Sequence, residues 1–563
     1  MTSPPAIACQ FEPLASQQGM LLHVLADAAT PCFQEQVWCT LDGPLNAAAL
    51  EAACAAVVAR HETLRSSFHL RDATAIRQCV HEHVPLAWTR EDWSGATDVD
   101  ERTAAFARRV DAWPIATDAP PLLRFGLVTF GPGRHLFAWK FHHLILDGWS
   151  AALVIREIFQ AYAAARAGQP LNGTPASPGF RDYVSWVHAQ DSAIASGCWR
   201  DLLRGFEAPA PLASRSCARA GAEQHASADA VLDESTLERL QQLARREHLT
   251  FGTLLQGAWA LVIVQWLERS DVVFGLTSSG RHVDLPSVEQ IVGPLATTIP
   301  MRAVVDRSQD LPAWLHALQR SFNGVARYQW DPVRHDGRPV AAPLFETVIV
   351  FENYPVLAVG EPVARDLRLS AVRFDGARTG YPLVLLAMSG GRAFDLRLVY
   401  DRRSVDPLAA SQLVAAVTAA LTAMAVSPVQ TVGDILTTVA QHLDPLRRVD
   451  RVLERPAPSP PVLPIEQEIA DIWTSLLGID AIGRDDNFFD LGGHSLAATR
   501  MIERVNDQFS VRIPLAAAFG IGATVAGLAE AVESAIIANA SDDELAAALE
   551  ALSDEGNLPD AVG

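Results

Sequence analysis

The run Phe141-His142-His143-Leu144-Ile145-Leu146-Asp147-Gly148-Trp149-Ser150 constrains this chain more than any other ten residues. A strand-like apolar lead-in ends in paired histidines, followed by a carboxylate and a glycine suited to a tight turn and close backbone approach. If residues 136–144 form a strand, His142 and His143 point to opposite faces, so one at most enters a given pocket. An imidazole titrating near pH 6.5 can accept or position a proton around neutrality. Asp147 either orients an imidazole or holds the turn by pairing with an arginine. Buried structural histidines are the plain alternative to catalysis.

A chain of 563 residues exceeds what one core holds, about 250–300 residues, so several compact units are expected. Helical spacing over Leu45 to Arg60, alternation through Val128, Phe130, Leu136 and Ala138, and an apolar helix from Ser235 through Trp266 predict a mixed α/β fold. Strands are predicted at Asp271 to Leu276, Thr347 to Phe351 and Phe394 to Tyr400, with a helix at Ser411 to Met424. Two lobes of similar size, residues 1–175 and 176–447, join near Pro170 to Gly179. The prolines of Arg455-Pro456-Ala457-Pro458-Ser459-Pro460-Pro461 hold a semi-rigid spacer, residues 448–463. Three amphipathic helices follow, Ile465 to Leu477, Ser495 to Phe509 and Val525 to Ala538, and make a small helical unit over residues 464–538.

Composition narrows the function. A net charge of −20 argues against general nucleic-acid binding, which needs clustered basic surface. Apolar stretches such as Ala258 to Trp266 fall short of the ~20 residues a bilayer crossing needs, so no span is predicted. Met1 to Phe11 lacks the features of a secretory signal, and the expected compartment is the cytoplasm. Seven cysteines without metal-ligand spacing read as reduced thiols, and no metal is expected. In the helical unit, Asp490-Leu491-Gly492-Gly493-His494-Ser495-Leu496 presents a serine at a helix start, where the positive end of the dipole suits a phosphodiester. A lone serine there would be an N-cap. Beyond Ala538 lie seven acidic residues and no basic one, with Leu545, Leu549 and Leu552 on one helical stripe. That segment, residues 539–563, is either a solvated tail or a docking peptide that folds on a partner.

His142-His143-Leu144-Ile145-Leu146-Asp147-Gly148 resembles the HHxxxDG signature of nonribosomal peptide synthetase condensation domains, members of the chloramphenicol-acetyltransferase-like superfamily. The resemblance runs over residues 10–440 through His61 to Phe68, Tyr183 to Trp186, Asp271 through Arg281, Ile291 to Pro294 and Phe351 to Pro355, with a departure at Tyr328 to Val340. It implies two acetyltransferase-like lobes meeting at a V-shaped cleft, with His143 catalytic and His142 a structural neighbour. Asp147 then pairs with an arginine, Arg281 before Arg65, beside Gly148 and Trp149. Pro13 to His23 is more similar to the subclass that accepts a D-configured donor residue, and Gly148-Trp149-Ser150 has the condensation rather than the epimerisation form.

Asp486 to Leu496 resembles the attachment site of peptidyl carrier proteins, which are small four-helix domains. The resemblance implies 4'-phosphopantetheine on Ser495, with Asp490, Gly493 and His494 around it, added by a phosphopantetheinyl transferase. Partners would be an upstream carrier donating an acyl or peptidyl thioester, an adenylation enzyme loading in trans, and a downstream synthetase or release enzyme recruited by the tail. The alternatives are ester formation or release onto a soluble amine, a non-catalytic carrier-binding platform, and a free-standing acetyltransferase using coenzyme A esters.

Overall fold

The computed structural model describes the chain except for residues 1–4, 27–31, 73–74, 172–177, 208–224, 332–333, 336–337, 340–343, 353–359, 376–380, 390–393, 403, 427–429, 444–457, 478, 480, 489–490, 492–494, 515–516, 518–522 and 540–563. It divides into a large unit that ends at Leu453 and a second unit built mainly from Glu454 onward. The larger one contains two six-stranded sheets. In the first, the strand order is Pro362–Ala364, Leu367–Asp375, Gln34–Asp42, Arg134–His142, Leu123–Gly131, Trp88–Asp92. In the second it is Thr297–Val304, Asp271–Ser278, Thr347–Glu352, Leu383–Ser389, Phe394–Asp401, His225–Leu232.

A cut of the chain at residue 175 does not separate these sheets. Leu367–Asp375, far beyond that boundary, runs antiparallel to Gln34–Asp42 and extends the first sheet. Sequence spacing carries no sign of such a crossover, because the strand is satisfied equally well by either sheet.

The helix expected over Ser235 to Trp266 is two helices, Glu234–Arg246 and Phe251–Leu267, bent by 108°. His248 takes a left-handed φ of 51°, and Thr250 then caps the second helix by accepting from the Thr253 N–H. The apolar periodicity continues through the break because both helices pack into the same core, with Leu240, Trp259 and Leu261 buried together. Pro407–Val426 is long and apolar enough in composition to cross a bilayer, yet Leu413, Val417 and Leu421 lie in that same core. Leu14, Phe180, Tyr183, Ile291 and Leu295 form a smaller apolar cluster, and the Leu295 N–H reaches Asp147 of the histidine motif.

The second unit shows three α-helices among its described residues, Pro464–Leu477, Ser495–Phe509 and Val525–Asn539. Trp473 and Phe488 meet edge to face at 4.9 Å in its core. A fourth helix would fall between the last two, where residues 515–516 and 518–522 lie outside the described set. Residues 539–563, apart from Asn539, and most of the proline-rich spacer also lie outside it.

Candidate active site

The histidine motif sits at the end of Arg134–His142, a central strand of the first sheet. Antiparallel register sets Gln34 opposite His142 and Glu35 opposite Phe141. Side chains alternate, so His142 shares a face with Lys140 and Gln34, whereas His143, two residues past Phe141, continues the face that carries Glu35. The chain then turns, with the Ile145 N–H bonding to the His142 carbonyl, and enters the helix Gly148–Arg166.

Two carbonyls of this turn are held by side chains from distant segments. Gln17 donates to the Leu144 carbonyl at 2.8 Å, and Thr63 donates to that of Ile145 at 2.8 Å. These residues belong to two of the segments that carry the family resemblance, which gives those segments a mechanical role.

Asp147 caps the following helix, accepting from the Ser150 N–H at 2.7 Å. Its other oxygen accepts from the Leu295 and Ala296 N–H groups at 3.0 and 2.9 Å, and from Arg281 Nη1 at 2.9 Å. Arg281 also donates to the Ser279 and Ile291 carbonyls and to Ser150 Oγ. Ser150 Oγ in turn donates to the Gly293 carbonyl at 2.7 Å. Trp149 donates through its indole N–H to the Glu289 carbonyl at 2.9 Å, and the Arg281 guanidinium lies 5.4 Å from its ring centroid. The aspartate is thus the knot that ties the motif to the second lobe. Gly280, beside Arg281, has a φ of +74°, and a Cβ there would stand 1.9 Å from the Leu295 carbonyl oxygen, so this position requires glycine.

Two expectations need correction. Arg65 does not approach Asp147; its guanidinium donates to the His81 and Glu82 carbonyls, bracing the hairpin formed by Ser66–Asp72 and Ala75–His81. Gly148 does not make the turn. It is the first helical residue, buried and without a left-handed backbone, because Asp147 already provides the cap and the extended entry.

The two imidazoles are held in opposite charge states. His142 is buried, with Nδ1 accepting from the Leu144 N–H at 3.0 Å and Nε2 without a partner. Burial first, then the charges of His143 and Lys140, pushes it down to about 3, and it is neutral. His143 keeps 22% of its side chain exposed, its Nδ1 facing the Leu146 carbonyl at 3.0 Å and its Nε2 facing Glu35 Oε1 at 2.8 Å. Burial opposes its charge, but the Glu35 carboxylate, the Leu146 carbonyl and Asp147 outweigh burial and push it up to about 9. Glu352, at the end of a strand of the second sheet, belongs to the same electrostatic neighbourhood. Burial and the Glu35 charge push its carboxyl up to about 7, against the pull of Arg397 and His143.

Neither Glu35 nor Glu352 was named as a site residue from the sequence. Glu352 lies inside Phe351 to Pro355, a segment that carries the resemblance, whereas Glu35 is a carboxylate inside Gln34-Glu35-Gln36-Val37-Trp38, a strand start whose partner strand is unknowable without the register. In the second unit Ser495 is the first residue of Ser495–Phe509, at the positive end of the helix dipole. Asp490, Gly493 and His494 lie outside the described residues, as do Asn353 to Pro355. Among the described residues no cluster of metal-ligating side chains forms.

Fold and site define a two-lobed α/β protein built around an HHxxxDG histidine. Residues 10–443 match the family model of the condensation domain, and residues 467–532 match that of the phosphopantetheine attachment site. The chain belongs to the condensation-domain family, and it carries a phosphopantetheine-attachment domain.

Among its relatives, a component of the linear gramicidin synthase of Brevibacillus parabrevis is 34% identical over 416 residues, 70% of this chain and 5% of the relative. Chondramide synthase cmdD of Chondromyces crocatus is 33% identical over 360 residues, 62% of this chain and 9% of the relative. The chain therefore spans only a small fraction of the length of these relatives. The first condensation domain of the calcium-dependent antibiotic synthetase, solved with a substrate analogue, superposes with a TM-score of 0.63 at 18% identity, covering 76% of this chain and 99% of that one. The condensation domain from the monacolin K polyketide synthase MokA gives a TM-score of 0.61 at 16% identity, covering 76% and 100%. These likenesses show the V-shaped two-lobed fold.

Proposed function

We propose that this protein joins a donor acyl or peptidyl group, delivered as a thioester by a separate upstream carrier, to an acceptor amine held on its own carrier domain at Ser495. The observation that carries this reading is the partly open imidazole of His143 at the junction of the lobes, with the rest of the HHxxxDG motif intact and bonded around it. A thioester supplies an already activated carbonyl, so holding two tethered reactants together provides much of the acceleration.

His143 manages the proton of the attacking amine, and Asp147 with Arg281 holds the motif rather than touching the reactants. His142, neutral and turned to the opposite face, is part of the support. Ser495 would hold the phosphopantetheine group, with Asp490, Gly493 and His494 beside it in sequence, and that group supplies a terminal thiol on which acyl groups ride.

The reading calls for a phosphopantetheinyl transferase, an adenylation enzyme acting in trans, and a donor carrier in the cytoplasm. It also assigns recruitment of the next synthetase or release enzyme to the acidic, leucine-striped segment after Ala538. A D-configured donor residue is the expected stereochemistry.

The test is intact-protein and peptide mass spectrometry after incubation with a transferase, coenzyme A, a loaded acceptor and a synthetic donor thioester. Amide product should appear on the Ser495 peptide of the wild type, and Ser495→Ala should show neither adduct nor retained product. Product formed free in solution by Ser495→Ala at the wild-type rate would overturn the tethered-acceptor reading.

A further inference from the structure

His143 makes a contact that its motif does not contain. Nδ1 faces the Leu146 carbonyl, which can only accept, so this nitrogen carries a proton. Nε2 lies 2.8 Å from Glu35 Oε1, so one further proton occupies that bond. Placed on Nε2, it makes the ring an imidazolium beside a carboxylate. Glu35 is only 9% exposed, so water competes weakly for the contact. Neither partner can drift away easily, because Glu35 is fixed in a central strand by its register with Phe141 and the ring is anchored at its other nitrogen.

We propose that Glu35 is the positioning residue of His143, fixing the ring through Nε2 and setting its protonation state, so that proton transfer from the acceptor amine runs on the Glu35–His143 pair. The inference rests on the amide-forming reading above and deepens it. The proton-accepting form is the pair that has lost its shared proton, a neutral imidazole beside a carboxylate. The amine nitrogen bonds to the thioester carbonyl carbon, the carbonyl electron pair moves to oxygen, and the proton on nitrogen passes to the pair. On collapse the C–S bond breaks, and the departing thiolate takes that proton back.

The charged and titratable groups around the pair come from several elements. Glu352 ends its strand in the second sheet, with Arg397 acting on it, and Asp147 caps the helix. His142 and Lys140 lie on the histidine strand, and Arg281 pairs with Asp147; the charges that act on His143 are those of Glu35 and Asp147, and both favour its protonated form.

The pair can be read without any substrate. Hydrogen exchange at the imidazole Cε1, followed against pH by peptide mass spectrometry of the full chain, reports the titration of each histidine. The peptide that holds both motif histidines should titrate in two steps, near about 3 for His142 and about 9 for His143. In Glu35→Gln the upper step should fall to about 6.5 or below, the ordinary imidazole range, and Glu35→Asp should keep it above that of Glu35→Gln. An unchanged unfolding midpoint in each variant is the control for an intact fold.

The acid limb of the condensation rate should shift down in Glu35→Gln by about two pH units, whatever happens to the maximal rate. A wild-type His143 that titrates near 6.5, an upper step unmoved in Glu35→Gln, or a rate limb that stays in place while the titration moves would each overturn the proposal. If no variant forms an amide while the titrations behave as stated, the amide-forming reading fails and the charge pair stands.

Discussion

On one face of the histidine strand, His142 lies sealed beside Lys140 and is neutral; on the other, one residue further along, His143 meets Glu35 and carries a charge. The residue type is the same, and the backbone positions are adjacent. The alternation of a strand alone sends one ring into packing and the other to an acidic, partly open wall. What differs is the supply of counter-charge, and the lesson is that a paired histidine is two different devices. One completes the turn by accepting the Leu144 N–H, and the other is paired with the Glu35 carboxylate.

The two rings pull stability in opposite directions with pH. His143, raised above the unfolded value of about 6.5, adds stability that is fully present below that pH and is lost as pH rises toward about 9. His142, depressed below it, adds a cost on the acid side, and stability falls as pH drops from about 6.5 toward about 3.

The comparison breaks if the supporting face can be damaged without cost. Asp147→Ala removes the partner of a buried guanidinium and orphans the N–H groups of Ser150, Leu295 and Ala296. It should cost about 3–5 kcal/mol in urea unfolding of the full chain, with activity lost in step with folding. A smaller effect sharpens the contrast. His142→Leu orphans the Leu144 N–H but also removes the unpartnered Nε2, and the two nearly offset. The loss near neutral pH should be about 1 kcal/mol or less, and the part of the acid-side decline that His142 causes should disappear from the unfolding midpoint plotted against pH.

Much of this site was legible in the sequence because its parts are local. The histidines, Asp147, Trp149 and Ser150 sit within ten residues, and strand alternation by itself separates the two rings. Arg281 was reachable only through the family pattern, since 134 residues separate it from Asp147. Glu352 fell inside a segment singled out by the family pattern but without a role, and Glu35 was out of reach, because a carboxylate becomes a site residue only when strand register delivers it, and register is a property of the sheet. The strand Leu367–Asp375 escaped for the same reason: its alternation does not say which sheet it joins, and only the register places it beside Gln34–Asp42. The bend after Arg246 was hidden by an apolar pattern that both helices share.

The most direct measurement is a single turnover in which the amine acceptor already rides on Ser495 and a donor thioester arrives on a separate carrier. Intact-protein mass spectrometry would follow the wild type and His143→Ala side by side. The wild type should gain the mass of the donor acyl group, while His143→Ala, with an unchanged unfolding midpoint and unchanged loading, should do so about 10²–10⁴-fold more slowly. Equal rates in the two proteins would contradict the division of labour between the faces and remove His143 from the chemistry.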